Sequence, residues 1–199
     1  MVDPTEKLIR QLSLIAYLIS ARRPVTASEI RRDVEGYSEM SEDAFPRRFY
    51  ADRAELEAVG IVLGVEKPED GEPAHEKYSL PRELRSPINE LLIDLLERIR
   101  RRVSLCDVDV AVATGTSDGA VADWVSRRAA PNDAQAALLG QLLATVELLQ
   151  LRIEPDAVRS WLRRSVSALD GRTPLEILAA GGYPAIAGFA RDLTDPHRT

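Results

Sequence analysis

The chain has 199 residues, with 26 Lys+Arg against 32 Asp+Glu, a formal charge of -6, 45% hydrophobic residues and one cysteine. That length suits one or two domains with enough apolar content for packed cores. The lone Cys106 excludes a disulfide framework or a multi-cysteine zinc site, and His75 and His197 stand far apart in polar surroundings. No run approaches the ~18 apolar residues of a membrane span, and Met1–Asp3 does not open a signal peptide, so a soluble cytoplasmic protein is expected. A net negative charge argues against indiscriminate nucleic-acid binding.

Residues 5–22 read as a helix, because Leu8, Leu12, Ile15 and Ile19 repeat at helical spacing and Pro24 ends the run. Thr26 and Glu29 form a capping box for a short helix over 27–34, closed by Gly36. A third helix spans 43–59, with Phe45, Phe49, Leu56 and Val59 on its buried side and Gly60 as its stop. Asp43 is its expected cap, which puts Pro46 at N3, where a missing N–H costs nothing. Ile61–Val65 and Glu76–Leu80 read as a hairpin around Asp70-Gly71. Pro81–Pro87 reads as a linker.

Beyond it, Ile88, Leu91, Leu92, Leu95, Leu96, Ile99 and Val103 predict an amphipathic helix over 87–103. Helices follow at 107–114, 117–128, 133–150 and 155–164. Thr173 caps another from Pro174 to Ala180, with Pro at N1, and a last one runs over 184–193 before a frayed tail. The fold expected is mostly α: a winged helix-turn-helix with a small β-hairpin wing over 1–82, a linker helix and second helix-turn-helix over 83–132, and an all-α module over 133–199.

Only Lys7, Lys67 and Lys77 are lysines; the other cations are arginines, whose planar donors suit phosphate, guanine or carboxylate. On the third helix, with Phe45, Phe49 and Leu56 inward, Arg47 and Tyr50 point outward and are the best DNA candidates. Arg48 precedes Asp52 by four residues and Glu55 by seven, so an intrahelical ion pair is its expected state, although it remains a DNA candidate. Arg53 lies toward the core flank and snorkels. Lys77 is the candidate on the wing.

Residues 5–85 resemble the N-terminal winged helix of PafB-type and WYL-domain transcriptional regulators. The stretches that carry this run from Arg22 to Ile30, from Ser41 to Phe49 and from Asp52 to Leu56, followed by Gly60-Ile61 and Tyr78-Ser79-Leu80. The resemblance implies a third helix that enters the major groove and a hairpin that tracks the backbone. Pro46 replaces a plain helix former, and no WYL domain follows.

A second helix-turn-helix spacing appears as Ala111, Gly115, Val121 and Trp124: a small contact residue, a glycine turn and two apolar seats. Cys106, Val108, Val110 and Val112 are expected in its small core, Cys106 as a packing residue. Thr116 and Ser117 at the start of its second helix, and Arg127-Arg128 at the end, are candidate phosphate contacts. Asp118 and Asp123 oppose that role.

Residues 133–193 resemble the C-terminal domain of Xre/MbcA/ParS-type antitoxins, through Pro155 to Leu162 and through Leu169-Asp170-Gly171-Arg172-Thr173-Pro174-Leu175-Glu176-Ile177-Leu178. Arg163-Arg164-Ser165-Val166 departs from that pattern. The resemblance implies a homodimer that covers a toxin, such as a RES-domain enzyme, and represses its operon. Trp161, Arg172, Thr173, Pro174, Leu175 and Leu178 become the candidate partner contacts, with plain core packing as the competing role of Trp161, Leu175 and Leu178.

The expectation is therefore a DNA-binding transcriptional regulator acting on double-stranded operator DNA, nucleoid-associated when bound, and antitoxin-like. The alternatives are a solitary dimeric regulator or an adaptor without DNA binding. Neither GxGxxG nor Walker glycines occur, nor a Ser/His/Asp set, so no enzyme activity, cofactor or metal is expected.

Overall fold

In a computed structural model of the chain, the described residues are 4–21, 23–68 and 75–193. The predicted turn at Asp70-Gly71 and the tail with His197 lie outside them. Ten α-helices and a three-stranded sheet appear among the described residues, so the fold is mostly α with a small β wing.

The N-terminal part comprises α1 (Pro4–Ser20), β1 (Val25–Thr26), α2 (Ala27–Asp33), α3 (Ala44–Ala58), β2 (Gly64–Glu66) and β3 (Lys77–Ser79). Thr26 and Glu29 form the predicted capping box: the Glu29 N–H donates to the Thr26 hydroxyl at 3.2 Å and the Thr26 N–H to the Glu29 carboxylate at 2.8 Å. The strands are shorter than the hydrophobic runs suggested. Val25–Thr26 adds a third strand beyond the expected hairpin, giving an antiparallel sheet ordered β1-β3-β2 with Val25 opposite Tyr78 and Val65 opposite Tyr78 on its other side.

Helix α3 begins where expected, with Asp43 at the N-cap position, but the Asp43 side chain makes no capping bond, and the Ala44 N–H donates instead to the Ser41 hydroxyl at 3.3 Å. Pro46 still falls in the first turn, where no backbone donor is needed. Val59, expected inside, is 67% exposed because the chain leaves the helix there. Its place on the inner face is taken by a polar residue, Asp52.

The predicted linker is largely helical. A 3-10 turn over Arg82–Leu84 runs straight into α4 (Arg85–Val103). Then come α5 (Asp107–Thr114), α6 (Asp118–Val125), α7 (Asp133–Gln150), α8 (Pro155–Arg163), α9 (Pro174–Ala179) and α10 (Tyr183–Asp192). Leu91 is exposed and Ile93 takes its place inside, since α4 is packed by α7 and α8 on one side and by α6 on another.

Helix α7 is the hub, and its longest contact is with α1. The two lie close because Gly140 faces Ala16; a Cβ built on Gly140 would sit 3.2 Å from the Ala16 methyl. One apolar cluster therefore runs from Ile9 on α1 to Ala190 on α10. Winged helix and C-terminal helices share a core, and burial of that kind contributes roughly 25 cal/mol per Å² of apolar area.

Candidate nucleic-acid interface

The placement of α3 rests on a buried ion pair. Arg10 and Asp52 are both almost fully buried, with Arg10 Nε donating to Asp52 Oδ2 at 3.0 Å and Nη2 to Oδ1 at 3.2 Å. The Tyr37 hydroxyl donates to Asp52 Oδ2 at 2.8 Å. Burial, with Asp52 beside it, drives the Tyr37 hydroxyl well above the ordinary tyrosine range, so it remains a donor. Gly36 makes room for this pair: its φ is +81°, and a Cβ there would approach Arg10 Cγ to 2.2 Å. Below lies an aromatic cluster in which Tyr37 meets Phe45 edge-on, Phe45 stacks on Phe49, and Phe49 meets Tyr78 of the sheet edge-on.

The same arrangement determines which cations of α3 are available. Glu55 is held from α1, by Lys7 at 3.0 Å and by Gln11 at 2.9 Å. The intrahelical ion pair expected for Arg48 is therefore absent, since both of its carboxylates face α1. Arg47 and Arg48 make no ion pair among the described residues, and with Met40, Ser41, Asp43 and Ala44 they line an open groove of about 540 Å³. Tyr50 is 47% exposed beside them.

Arg53, expected only to snorkel, sits 4.9 Å from the ring centre of Tyr78 and 5.5 Å from that of Tyr50. This cation–π stack ties the exposed face of α3 to the middle strand of the wing. Burial, and then a hydrogen bond to Glu76 at 2.7 Å, push the Tyr78 hydroxyl above its ordinary range. Lys77 is exposed on β3 and paired in register with Glu66.

The second helical pair has the predicted backbone and different electrostatics. Gly115 turns at φ +64°, and Val121 and Trp124 are buried. Ser117 spends its hydroxyl accepting the Ala120 N–H at 3.2 Å, and Thr116 is half-buried. Arg127 does not project outward: it turns back onto α4 and pairs with Glu90 at 2.7 Å, with Asp94, and with Glu97 at 3.9 Å. Arg128 pairs with Asp123 at 2.7 Å. Val108 and Val112 are exposed, against the expectation of a small core.

Cys106 is likewise no plain packing residue. It caps α5, its thiol donating to Asp109 Oδ2 at 3.1 Å while Arg159 Nη2 donates to the sulfur at 3.1 Å. Burial opposes ionisation of Asp109, yet the Cys106 N–H, its thiol and Arg159 hold that carboxyl below the usual carboxylate range. Arg163 completes the cluster at 3.3 Å.

The residues expected to touch a protein partner are mostly interior. Trp161 is 7% exposed and stacks on Phe189 at 5.8 Å, and Pro174, Leu175 and Leu178 are buried. Thr173 is consumed as the cap of α9, accepting the Glu176 N–H at 3.2 Å. Arg172 alone of that set is exposed.

A winged helix-turn-helix whose third helix carries two arginines without ion pairs beside an open groove is the class of architecture defined here. Comparison with known proteins agrees over part of the chain. It is 40% identical over 80 residues to Protein PafB of Mycobacterium tuberculosis and to Protein PafB of Mycobacterium bovis, a match covering 40% of this chain and 24% of each relative. Protein PafB of Mycobacterium leprae is 39% identical over 84 residues, covering 39% and 25%. The chain thus spans about a quarter of the length of these relatives. No family model matches the chain, and no solved structure matches it. No group of three or more His, Cys, Asp or Glu suited to a metal occurs among the described residues, and none of their helices is long and apolar enough to cross a membrane.

Proposed function

We propose that the chain is a DNA-binding transcriptional regulator that inserts α3 into the major groove and rests its wing on the phosphate backbone. The observation that carries this reading is the unpaired state of Arg47 and Arg48 on the open face of α3, next to exposed Tyr50. Arginines in that position offer bidentate donors to guanine or phosphate without first breaking a protein ion pair. The partial similarity to PafB proteins supports the same reading. Lys77 and Arg53 extend the cationic surface from helix to wing.

In this proposal the chain acts by binding and not by turnover, and its C-terminal helices are a scaffold that positions the winged helix. Burial of Trp161, Leu175 and Leu178 favours scaffold over toxin contact. A toxin partner and a homodimer therefore rest on the antitoxin resemblance alone. The test is fluorescence anisotropy with the DNA upstream of the chain's own reading frame, at two salt concentrations. Saturable binding that weakens steeply with salt supports a regulator, because contacts to phosphates release counterions. Absence of saturable binding at low salt contradicts it.

A further inference from the structure

Arg53 is held differently from the other cations of α3. Its guanidinium carbon lies 4.9 Å from the ring centre of Tyr78, 5.5 Å from that of Tyr50 and 5.8 Å from that of Phe49. Rings from the helix and from the wing thus fix a side chain that is otherwise free to sample many rotamers. Aromatic faces attract its charge, yet they leave its N–H groups without an oxygen acceptor.

No carboxylate among the described residues forms an ion pair with it. Asp52 is held by Arg10 and Glu55 by Lys7, while Glu76 accepts the Tyr78 hydroxyl at 2.7 Å. Glu57, four residues on, is exposed and is likewise unpaired with Arg53. Arg53 is only partly exposed, so water screens its charge less than that of a fully exposed cation. An anion that reaches it meets a donor already in place, with little side-chain entropy left to lose.

Its position indicates which anion. Arg53 lies one turn beyond exposed Tyr50 on α3, and Tyr78 is the centre of β3, the middle strand of the sheet. With α3 in the major groove and the wing on the backbone, their junction faces the sugar-phosphate strand that edges the groove. We infer that Arg53 is a phosphodiester-binding site, its guanidinium held by Tyr50 and Tyr78 and donating to a non-bridging oxygen of that strand. This inference rests on the DNA-binding reading above and assigns Arg53 to backbone rather than to base.

The test is a coupling cycle on the upstream duplex, with one phosphate at a time replaced by a neutral methylphosphonate. Neutralising the contacted phosphate should weaken wild-type binding as Arg53→Gln does, each lowering the slope of log K against log salt by about 0.9. Combined, the two changes should cost no more affinity than either alone, because they remove one interaction. Arg53→Lys keeps the charge and should retain the wild-type slope. A duplex of unrelated sequence, measured at low salt, should lose the same factor on Arg53→Gln, since phosphates carry no sequence information. Arg53→Met keeps the apolar stem against the rings and serves if Arg53→Gln does not fold. Additive losses at every phosphate would overturn the inference and leave Arg53 a brace of the wing. A loss confined to the upstream sequence would overturn it in favour of a base contact. Both results leave the DNA reading standing, whereas absence of saturable binding by the wild type overturns that reading and this inference with it.

Discussion

Helices α3 and α6 are the second members of the two candidate helix-turn-helix units, and the arginine pairs on or just after them finish with opposite electrostatics. On α3, Asp52 and Glu55 are drawn toward α1 by Arg10, Lys7 and Gln11, so that neither pairs with Arg47 or Arg48. After α6, three carboxylates of α4 enclose Arg127, and Asp123 holds Arg128. Helix-turn-helix spacing thus specifies how two helices pack. Availability of their cations to phosphate is decided by acids on other elements, over 30 residues away in sequence in the case of Arg127 and Asp94. A net charge of -6 is compatible with a DNA-binding face because the acids nearest Arg47 and Arg48 in the helix, Asp52 and Glu55, are held by cations of α1.

The contrast can be broken first at its foundation. Asp52→Ala leaves Arg10 charged and buried without a partner, and should destabilise the protein by roughly 3–5 kcal/mol in urea unfolding. A loss within the range of surface substitutions would mean that the pair does not position α3. Tyr37→Phe removes one hydrogen bond to a charged group and should cost about 1.5–3 kcal/mol by the same measurement. Arg127→Ala should be milder, at most about 1 kcal/mol, since its pairs with α4 are solvent-exposed. DNA affinity should stay unchanged in that variant, and a large loss of affinity would return α6 to contention as a reader.

The smallest effect concerns the capping box of α2. Arg23, and then the Thr26 N–H, hold the Glu29 carboxyl at about 2, below its ordinary 4.5. A depressed carboxyl contributes stability above the ordinary value and loses it as pH falls toward the folded one. The stability difference between wild type and Glu29→Gln should therefore shrink as pH falls from 4.5 to about 2. A difference that stays constant over that interval would show that the charge of Glu29 contributes nothing.

Much of the fold was legible in the sequence because its signals are local. The Thr26–Glu29 box, Thr173 as the cap before Pro174 and the turn at Gly115 each specify their own segment, and the structure follows them. What was missed is nonlocal. Strand β1 exists only because Val25 meets Tyr78. Val59 and Leu91 fit a helical stripe, yet they face solvent because no neighbouring element covers them. Within the candidate interface, helical geometry correctly placed Arg47 and Tyr50 outward. For Arg48 the i+4 rule points to Asp52 and is blind to Arg10, which lies 42 residues from Asp52 in sequence and takes its carboxylate. The buried acid could have been suspected from Asp52 lying three residues after Phe49 and four before Leu56 on one face. Trp161 and Leu178 read equally well as anchors or as core until the packing of α8, α9 and α10 put them inside.

The central contrast is tested most directly by two double variants compared for the salt dependence of binding to the upstream DNA. Replacing both Arg47 and Arg48 by Ala should weaken binding and, since each lost phosphate contact lowers the slope of log K against log salt by about 0.9, flatten that slope by one to two contacts' worth. Replacing both Arg127 and Arg128 by Ala should leave affinity and slope as in the wild type. The reverse pattern, with α3 indifferent and the α6 pair decisive, would contradict the assignment of α3 as the DNA-reading helix.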